Sequence, residues 1–241
     1  SSLYPSQYLA PTPAFDQSVL QSEQPDPYRK DVLELLFQLF DREGLTLIPS
    51  VEFATPLPGI EAQLANNEVS VAGIELFDVE QNPGWESQLD DDGLAPFYNP
   101  LNGSVQKAMQ DVLSEISQRY QKHPSFAGIH LNLQPRGYSQ LPGKAWAFDE
   151  STLSEFLKEY PQAGPETVRT LAFELQADKR SKLVNEWLHW RAQRLAKFYG
   201  QVATSLQQKN QHLFLSLMEL FDSEPWQKQL RPALPRQATV E

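Results

Sequence analysis

The sequence predicts an α/β fold in which helices cover a parallel sheet. Three times along the chain, an amphipathic segment with helical spacing is followed by a short apolar run typical of a buried strand. Parallel strands need such helical crossovers, so the repeated order favours one parallel sheet. The 241 residues are 40% hydrophobic, which is enough for one sizeable core, and we expect residues 1–241 to form a single domain or part of one.

The first helix and strand follow a start that is rich in Pro, Ser and Gln. Asp26-Pro27 is typical of an N-cap followed by proline at the first helical position. Apolar residues recur with helical spacing from Val32 to Phe40, and Gly44 predicts the end of this helix. The strand is expected from Leu45 to Phe53, with an irregularity at Pro49.

The second and third units repeat this order. An amphipathic helix is predicted over Val105 to Ile116, followed by a strand over Phe126 to Leu133. A longer helix is predicted from Ser181 to Gln208, followed by a strand over His212 to Met218. A short additional strand is expected within Val69 to Val79.

The charge and the apolar runs of the chain exclude several partners. The 20 basic and 31 acidic residues give a net charge of −11, so nucleic acid and anionic membranes are unfavourable partners, whereas neutral sugars remain possible. No apolar run approaches the roughly 20 residues of a membrane span. The start lacks the features of a signal peptide, so any targeting segment lies outside this sequence and would make the protein periplasmic or extracellular.

Metal and cofactor chemistry is also disfavoured by the sequence. The chain has no cysteine, and its four histidines do not form a metal-binding motif. His130, inside a predicted strand, is expected in the core. There is no glycine-rich phosphate loop, so we expect neither a cofactor nor a metal.

Several motifs together resemble a known group of barrel proteins. The stretches concerned are Leu3 to Ser6, Pro11 to Pro13, Tyr98 to Val105, Gly128 to Leu131 and Trp187 to Arg191. In order and spacing they resemble the bacterial glycosyl-hydrolase-like proteins described as family-ten-like. The resemblance implies a parallel (β/α)₈ barrel of TIM type and hydrolysis of glycosidic bonds. Since that barrel has eight strands in about 250 residues, we expect an incomplete barrel here, with further domains of a longer chain as possible partners.

Glycoside hydrolysis needs two carboxyl groups that flank the bond to be broken. Glu52 follows the first predicted strand, and Glu219 follows the last. Because active sites of such barrels lie at the carboxyl ends of the strands, we take these two as candidate catalytic residues. The alternative is that each is an ordinary solvated carboxylate.

The middle strand departs from the pattern of related sugar-hydrolysing barrels, which end it with a carboxylic acid. Here it ends with Asn132 and Gln134, which bind sugar hydroxyls but cannot exchange a proton as an acid does. Either the acid comes from Asp149 or Glu150, or the protein binds glycans without cleaving them, as a binding or scaffolding protein. Asp149 has the alternative role of a helix N-cap.

Aromatic rings in the predicted loops are candidates for stacking on sugars. They are Trp85, Tyr98, Tyr138, Trp146 and Trp226. Each has the alternative role of attaching its loop to the core. The long loop from Gln134 to Asp149 is expected to line the same groove as the two carboxylates. Arg136 of this loop is a candidate for binding an anionic sugar, with a structural salt bridge as its alternative role, and Asp222 is a further candidate for sugar contacts.

Overall fold

The computed structural model describes residues 2–9, 31–66, 72–84, 98–133, 137–160, 166–179 and 181–217. Within these ranges the chain is mixed α/β, with six helices and three strands. The helices are α1 (Val32–Glu43), α2 (Pro58–Ala65), α3 (Gly103–Tyr120), α4 (Glu150–Glu159), α5 (Glu166–Gln176) and α6 (Lys182–Gln207). The strands are β1 (Ser50–Val51), β2 (Gly128–Leu133) and β3 (His212–Leu217).

The helix ends follow from local capping residues. Asp31 caps α1, with its carboxylate accepting from the backbone N–H of Glu34, and the predicted Asp26-Pro27 start lies outside the described residues. Gly44 ends α1 in the left-handed conformation that glycine adopts most readily, as the sequence predicts. Asn102 and Ser181 cap α3 and α6 by accepting backbone N–H groups of the first turn.

The three predicted strands pair in one parallel sheet with the order β1-β2-β3, which confirms the predicted pairing. Gly128 of β2 lies opposite His212, and this pairing continues over six residues to the end of β3. The first strand is shorter than predicted, because regular pairing covers only Ser50–Val51 and an isolated bridge joins Leu47 to Phe126. Met218 lies outside the described residues.

The predicted (β/α)₈ barrel of TIM type is wrong for this structure. The described residues form a three-stranded open sheet in which β1 and β3 pair only with β2. A barrel requires every strand to have a neighbour on both sides and the strands to tilt until the sheet closes. The helix-then-strand repeat is the same in open and closed sheets, so that repeat did not distinguish between them.

A short strand was expected within Val69 to Val79. The described part of this segment, residues 72–79, forms isolated β-bridges instead of a strand. Residues 72–79 form single antiparallel bridges, among them Glu75 with Tyr98 and Asp78 with Trp146. These bridges connect the segment to the residues before α3 and to the loop after β2.

Two groups of buried side chains make up the core. The first packs Ile129, Leu131 and Leu133 of β2 against α1 and α3, with Met109 of α3 fully buried. The second lies among α4, α5 and α6 around Trp187, which is 0% exposed. Since alternate residues of a strand point to opposite faces, the helices cover one face of β2 and leave His130 and Asn132 half-buried on the other.

His123 links α1 to the end of α3 at the surface of the first core group. Its Nδ1 and Nε2 lie 2.6 Å from an Asp41 oxygen and 3.1 Å from a Glu34 oxygen. Burial lowers the pKa of His123, but the hydrogen bonds with the two carboxylates outweigh it and leave the pKa above its ordinary value. For Asp41, burial raises the pKa, and hydrogen bonds from Ser125 and His123 outweigh it, so the pKa lies below its ordinary value.

We expect the contribution of His123 to stability to be greatest at mildly acidic pH. A raised histidine pKa stabilises the fold below the unfolded value of about 6.5, and this stabilisation is lost as the pH rises through the folded value. A lowered aspartate pKa stabilises above about 3.9 and is lost as the pH falls through the folded value. Urea unfolding of wild type and His123→Gln should therefore differ most between about pH 4.5 and 6.

The matched control for this experiment is His189→Gln, because His189 is an exposed histidine of α6. A difference between wild type and His123→Gln that grows from pH 6 to pH 8.5 would contradict the assignment.

Candidate functional site

The side of the sheet away from the helices carries a group of polar side chains. We call Ser50, His130, Asn132, Phe214 and Ser216 the open sheet face. The strand register sets Ser50 and Phe214 on either side of His130, and Ser216 opposite Asn132. Ser50 Oγ lies 2.9 Å from His130 Nδ1, and the Ser216 hydroxyl donates to Asn132 Oδ1 at 3.3 Å. These contacts cross strand boundaries and hold the polar groups in one row.

Glu52, a predicted catalytic residue, lies at the carboxyl end of this face. Ser50 and Glu52 are exposed, whereas Val51 is half-buried and Phe53 is 2% exposed. This alternation sets Glu52 on the same side as Ser50. The ladder of β1 and β2 ends with Val51 opposite Leu131, and Glu52 and Asn132 are the next residues of the two segments. The register therefore sets two predicted site residues at matching positions, one residue beyond the last pair of the ladder.

Asn132 has hydrogen-bonding capacity left for a ligand. Its side-chain oxygen accepts from Ser216, and its backbone oxygen accepts from the Ser139 hydroxyl at 3.4 Å. In the described part of the chain its Nδ2 group has no partner. A half-buried amide with free donors is suited to hold a hydroxyl group of a ligand.

Tyr138 and Trp146, expected as an exposed sugar platform, are buried at 1% and 6% exposure. The Tyr138 hydroxyl donates to the Thr55 backbone oxygen at 2.8 Å, and Trp146 belongs to the second core group. A ring must expose a face to stack on a sugar, so burial corrects this expectation for both residues. Both rings instead attach the loop after β2 to the core.

Tyr98 is also a core residue, at 1% exposure. Its hydroxyl donates to Glu61 and accepts from the backbone N–H of Leu57 at 3.0 Å. Burial, together with the nearby Glu61 carboxylate, raises the pKa of Tyr98. The ring fixes the chain between β1 and α2, which corrects the expectation that it stacks on a ligand.

Asp149 is the N-cap of α4, which is the alternative role that the sequence indicates for it. Its carboxylate accepts from the backbone N–H of Thr152 at 2.9 Å and from Asn99 Nδ2 at 2.9 Å. Burial raises the pKa of Asp149, and the hydrogen bonds from Thr152 and Asn99 oppose that rise. With 5% exposure it has little access to a ligand, whereas its neighbour Glu150 is exposed.

Two side chains of α6, Arg191 and Tyr199, hold the loop after β2 through hydrogen bonds to its backbone. Arg191 Nη1 donates to the backbone oxygens of Trp146 at 2.6 Å and Gly143 at 3.2 Å. Burial lowers the pKa of the Arg191 guanidinium to about 9, so it stays charged at neutral pH. The Tyr199 hydroxyl donates to the backbone oxygen of Ser139, whose own hydroxyl bonds Asn132. The loop is thereby fixed next to the open sheet face.

Sequence reasoning missed four members of this face. His130 was expected in the core, and Ser50, Ser216 and Phe214 were not considered. Phe214 is 40% exposed and is the aromatic ring on the open sheet face. Comparing alternate positions of adjacent strands would have grouped these residues, but only once the register was known.

The remaining predicted site residues lie outside the described residues: Trp85, Gln134, Arg136, Glu219, Asp222 and Trp226. The separation between the carboxylates of Glu52 and Glu219 therefore stays a prediction. In the described ranges, no group of three or more His, Asp or Glu side chains is placed to hold a metal ion. None of the helices there combines the length and the apolar character that crossing a membrane requires.

Searches against family models, curated proteins and solved structures found no match for this chain.

Proposed function

We propose that this protein binds a neutral oligosaccharide on the open sheet face, with Glu52 at its edge. The observation that carries the proposal is the cross-strand row in which Asn132 lies between Ser216 and the position of Glu52. A carboxylate, an amide and hydroxyl groups at neighbouring positions match the alternating donors and acceptors of a polyhydroxylated ligand.

The exposed ring of Phe214 adds an apolar surface to this polar row. It lies opposite His130 in the register, two residues before Ser216 on the same face of the sheet. Sugar rings have apolar C–H faces and polar edges, so a ring beside a few fixed polar groups suits them. Phe214 takes the stacking role that sequence reasoning gave to Tyr138 and Trp146.

The charge of the site favours a neutral ligand. Among its described residues, the open sheet face carries no Lys or Arg, and Glu52 supplies a negative charge at its end. The whole chain has a net charge of −11. Anionic ligands are therefore repelled, and neutral sugars carry no such penalty.

Cleavage of the bound glycan is a second candidate function. Because β1 and β3 flank β2 in parallel, their carboxyl ends lie at the same edge, two strand spacings or about 10 Å apart. If Glu219 is the partner of Glu52, as the sequence predicts, carboxyl separations of about 5–5.5 Å correspond to retention and about 6.5–9.5 Å to inversion. Glu52 follows β1, and in the sequence Glu219 follows β3 by two residues.

Asn132→Ala should weaken binding of neutral oligosaccharides by about 10-fold or more. The variant loses hydrogen bonds to sugar hydroxyls, each with a value of about 1 kcal/mol, and a tenfold loss corresponds to about 1.4 kcal/mol. Isothermal titration calorimetry with cellohexaose, xylohexaose and maltohexaose measures this loss.

Glu52→Gln should bind these hexasaccharides within a few-fold of the wild-type affinity. Any hydrolysis should fall by about 100-fold or more, because the amide cannot act as acid, base or nucleophile.

Asn185→Ala and Glu186→Gln are the matched controls, since both residues are exposed on α6. They should leave affinity and any hydrolysis unchanged. The proposal fails if no hexasaccharide binds, or if Asn132→Ala binds as tightly as wild type.

A further inference from the structure

A cavity of about 400 Å³ lies between the N-terminal segment, α2 and the start of α3, away from the open sheet face. We call it the α2–α3 cavity. Its volume lies in the range of small-molecule sites, roughly 300–1,000 Å³. Its lining includes Tyr8, Leu57, Gly59, Ile60, Gln63 and Ser104.

The position of this cavity is one where α/β proteins bind ligands. Helix α3 leads directly into β2, so its first turn lies towards the carboxyl end of that strand. Leu57, which also lines the cavity, follows β1 by six residues. Ligands of open α/β sheets bind outside the carboxyl ends of the strands, which is the end where this cavity lies.

The cavity has an exposed aromatic ring on one side and a closely packed apolar floor. Leu57 and Ile60 are 2% and 1% exposed, whereas Tyr8 is 41% exposed. The backbone around Tyr8 is tied down, because its N–H donates to Ser6 Oγ, and the Ser6 hydroxyl donates to Glu115 of α3 at 2.6 Å. These hydrogen bonds fix the backbone from which the Tyr8 side chain extends, and the ring keeps an accessible face.

The polar groups of the cavity are neutral overall. Lys107 and Asp111 pair with each other at 2.5 and 2.7 Å, so their charges offset one another. The first N–H groups of α3, on Ser104 and Val105, are taken by the Asn102 side chain, which argues against an anion site there.

Hydrogen-bonding groups remain for an uncharged ligand. The side chains of Gln63 and Ser104 line the cavity, and within the described residues neither forms a side-chain hydrogen bond. An amide and a hydroxyl beside an apolar floor and an aromatic ring are suited to a sugar ring, with its apolar face and polar edge.

The geometry points to a second saccharide subsite in the α2–α3 cavity, which holds one sugar ring against the exposed ring of Tyr8, with Gln63 and Ser104 as its hydrogen-bonding partners. The assignment of the ligand class rests on the proposed function. The two sites share no residue, so each can be removed without touching the other.

Gly59→Leu tests the subsite by filling it. Gly59 lies in α2, and an added Cβ there meets no atom within 4 Å, so the fold accepts the side chain while the cavity loses space. Gly200→Leu is the matched control: Gly200 is a glycine of α6 with equally open surroundings, and it does not line this cavity. Both changes replace a helical glycine with leucine and should favour the helix to a similar extent. Only Gly59 lines the cavity, so only Gly59→Leu should weaken binding there.

The measurement is ¹⁵N–¹H NMR titration with cellotriose, xylotriose and maltotriose. In wild type and Gly200→Leu, at least one trisaccharide should shift the amide signal of Gly103, which lines the cavity. Gly59→Leu and Tyr8→Ala should weaken that response by about 10-fold or more, and Tyr8→Trp should retain it, because indole provides a similar stacking face.

The outcomes separate the two proposals. Shifts confined to the open sheet face, or a Gly103 response that persists unchanged in Gly59→Leu and Tyr8→Ala, overturn the subsite alone. A Gly103 response that survives Asn132→Ala supports it as an independent site. Absence of any saccharide response in wild type overturns both the subsite and the proposed function.

Discussion

Replacing Gly128 with alanine is expected to destabilise the protein by about 3 kcal/mol or more, because overpacking and a strained backbone conformation each cost about 1–3 kcal/mol. Gly128 has φ +155°, and an added Cβ lies 2.0 Å from the backbone oxygen of His212. His212 is the partner of Gly128 in the ladder, and its N–H donates to the Ala127 oxygen at 2.9 Å. Relief of the clash therefore requires β2 and β3 to separate at their first pair.

Urea unfolding measures this loss, and far-UV circular dichroism reports whether the variant still folds. The control is Gly200→Ala in α6, where an added Cβ meets nothing within 4 Å. That change should be neutral or stabilise by up to about 1 kcal/mol, because alanine favours a helix over glycine. A Gly128→Ala variant within about 0.5 kcal/mol of wild type, the scatter of neutral surface changes, would show that the strands do not approach this closely.

Trp187→Ala is expected to cost about 3–5 kcal/mol, the range for removal of a buried aromatic side chain. Trp187 is 0% exposed, and its ring contacts Phe148, Phe156 and Trp190 at centroid distances of 5.5, 5.0 and 5.5 Å. The guanidinium carbon of Arg191 lies 5.2 Å from the ring centroid. Trp187→Ala removes all of these contacts and leaves a cavity in the place of the indole ring.

The same change should weaken the attachment of the loop after β2. Phe148 belongs to that loop, and Arg191 holds the loop through the backbone oxygens of Trp146 and Gly143. We therefore expect Trp187→Ala to speed amide hydrogen exchange in residues 137–149 as well as to lower the free energy of unfolding.

Two variants calibrate the Trp187 result. Trp187→Phe keeps a ring in the cluster and should cost less than Trp187→Ala. Phe173→Ala removes an aromatic residue that is 61% exposed and should change stability by less than about 1 kcal/mol. A loss below about 1.5 kcal/mol in Trp187→Ala would mean that the second core group is loosely packed or collapses around the gap.

The helices and the parallel strands could be predicted because their signals are local. Gly44, Asp149 and Ser181 end or begin helices through contacts within a few residues of the same segment. The short helix α2 and the helix α5 were not predicted from the sequence. Their apolar positions are few, since α2 buries only Ile60 among its described side chains.

The candidate site could be predicted only in part. Glu52 and Asn132 stood out because each follows or ends an apolar strand, and the register sets them at matching positions just beyond the last pair of the β1–β2 ladder. The pairing of His130 with Ser50 was missed because the two residues are 80 positions apart in the chain. A single sequence does not specify the register between strands that far apart.

The sequence by itself determined where helices and strands form, because capping and apolar spacing act between residues close in the chain. Only the tertiary structure decided that the sheet stays open within the described residues, and that Tyr138 and Trp146 are buried while Phe214 is exposed. An aromatic residue in a loop has the same local signature in either environment. Its burial depends on whether distant segments pack over it, and that free energy comes from long-range contacts.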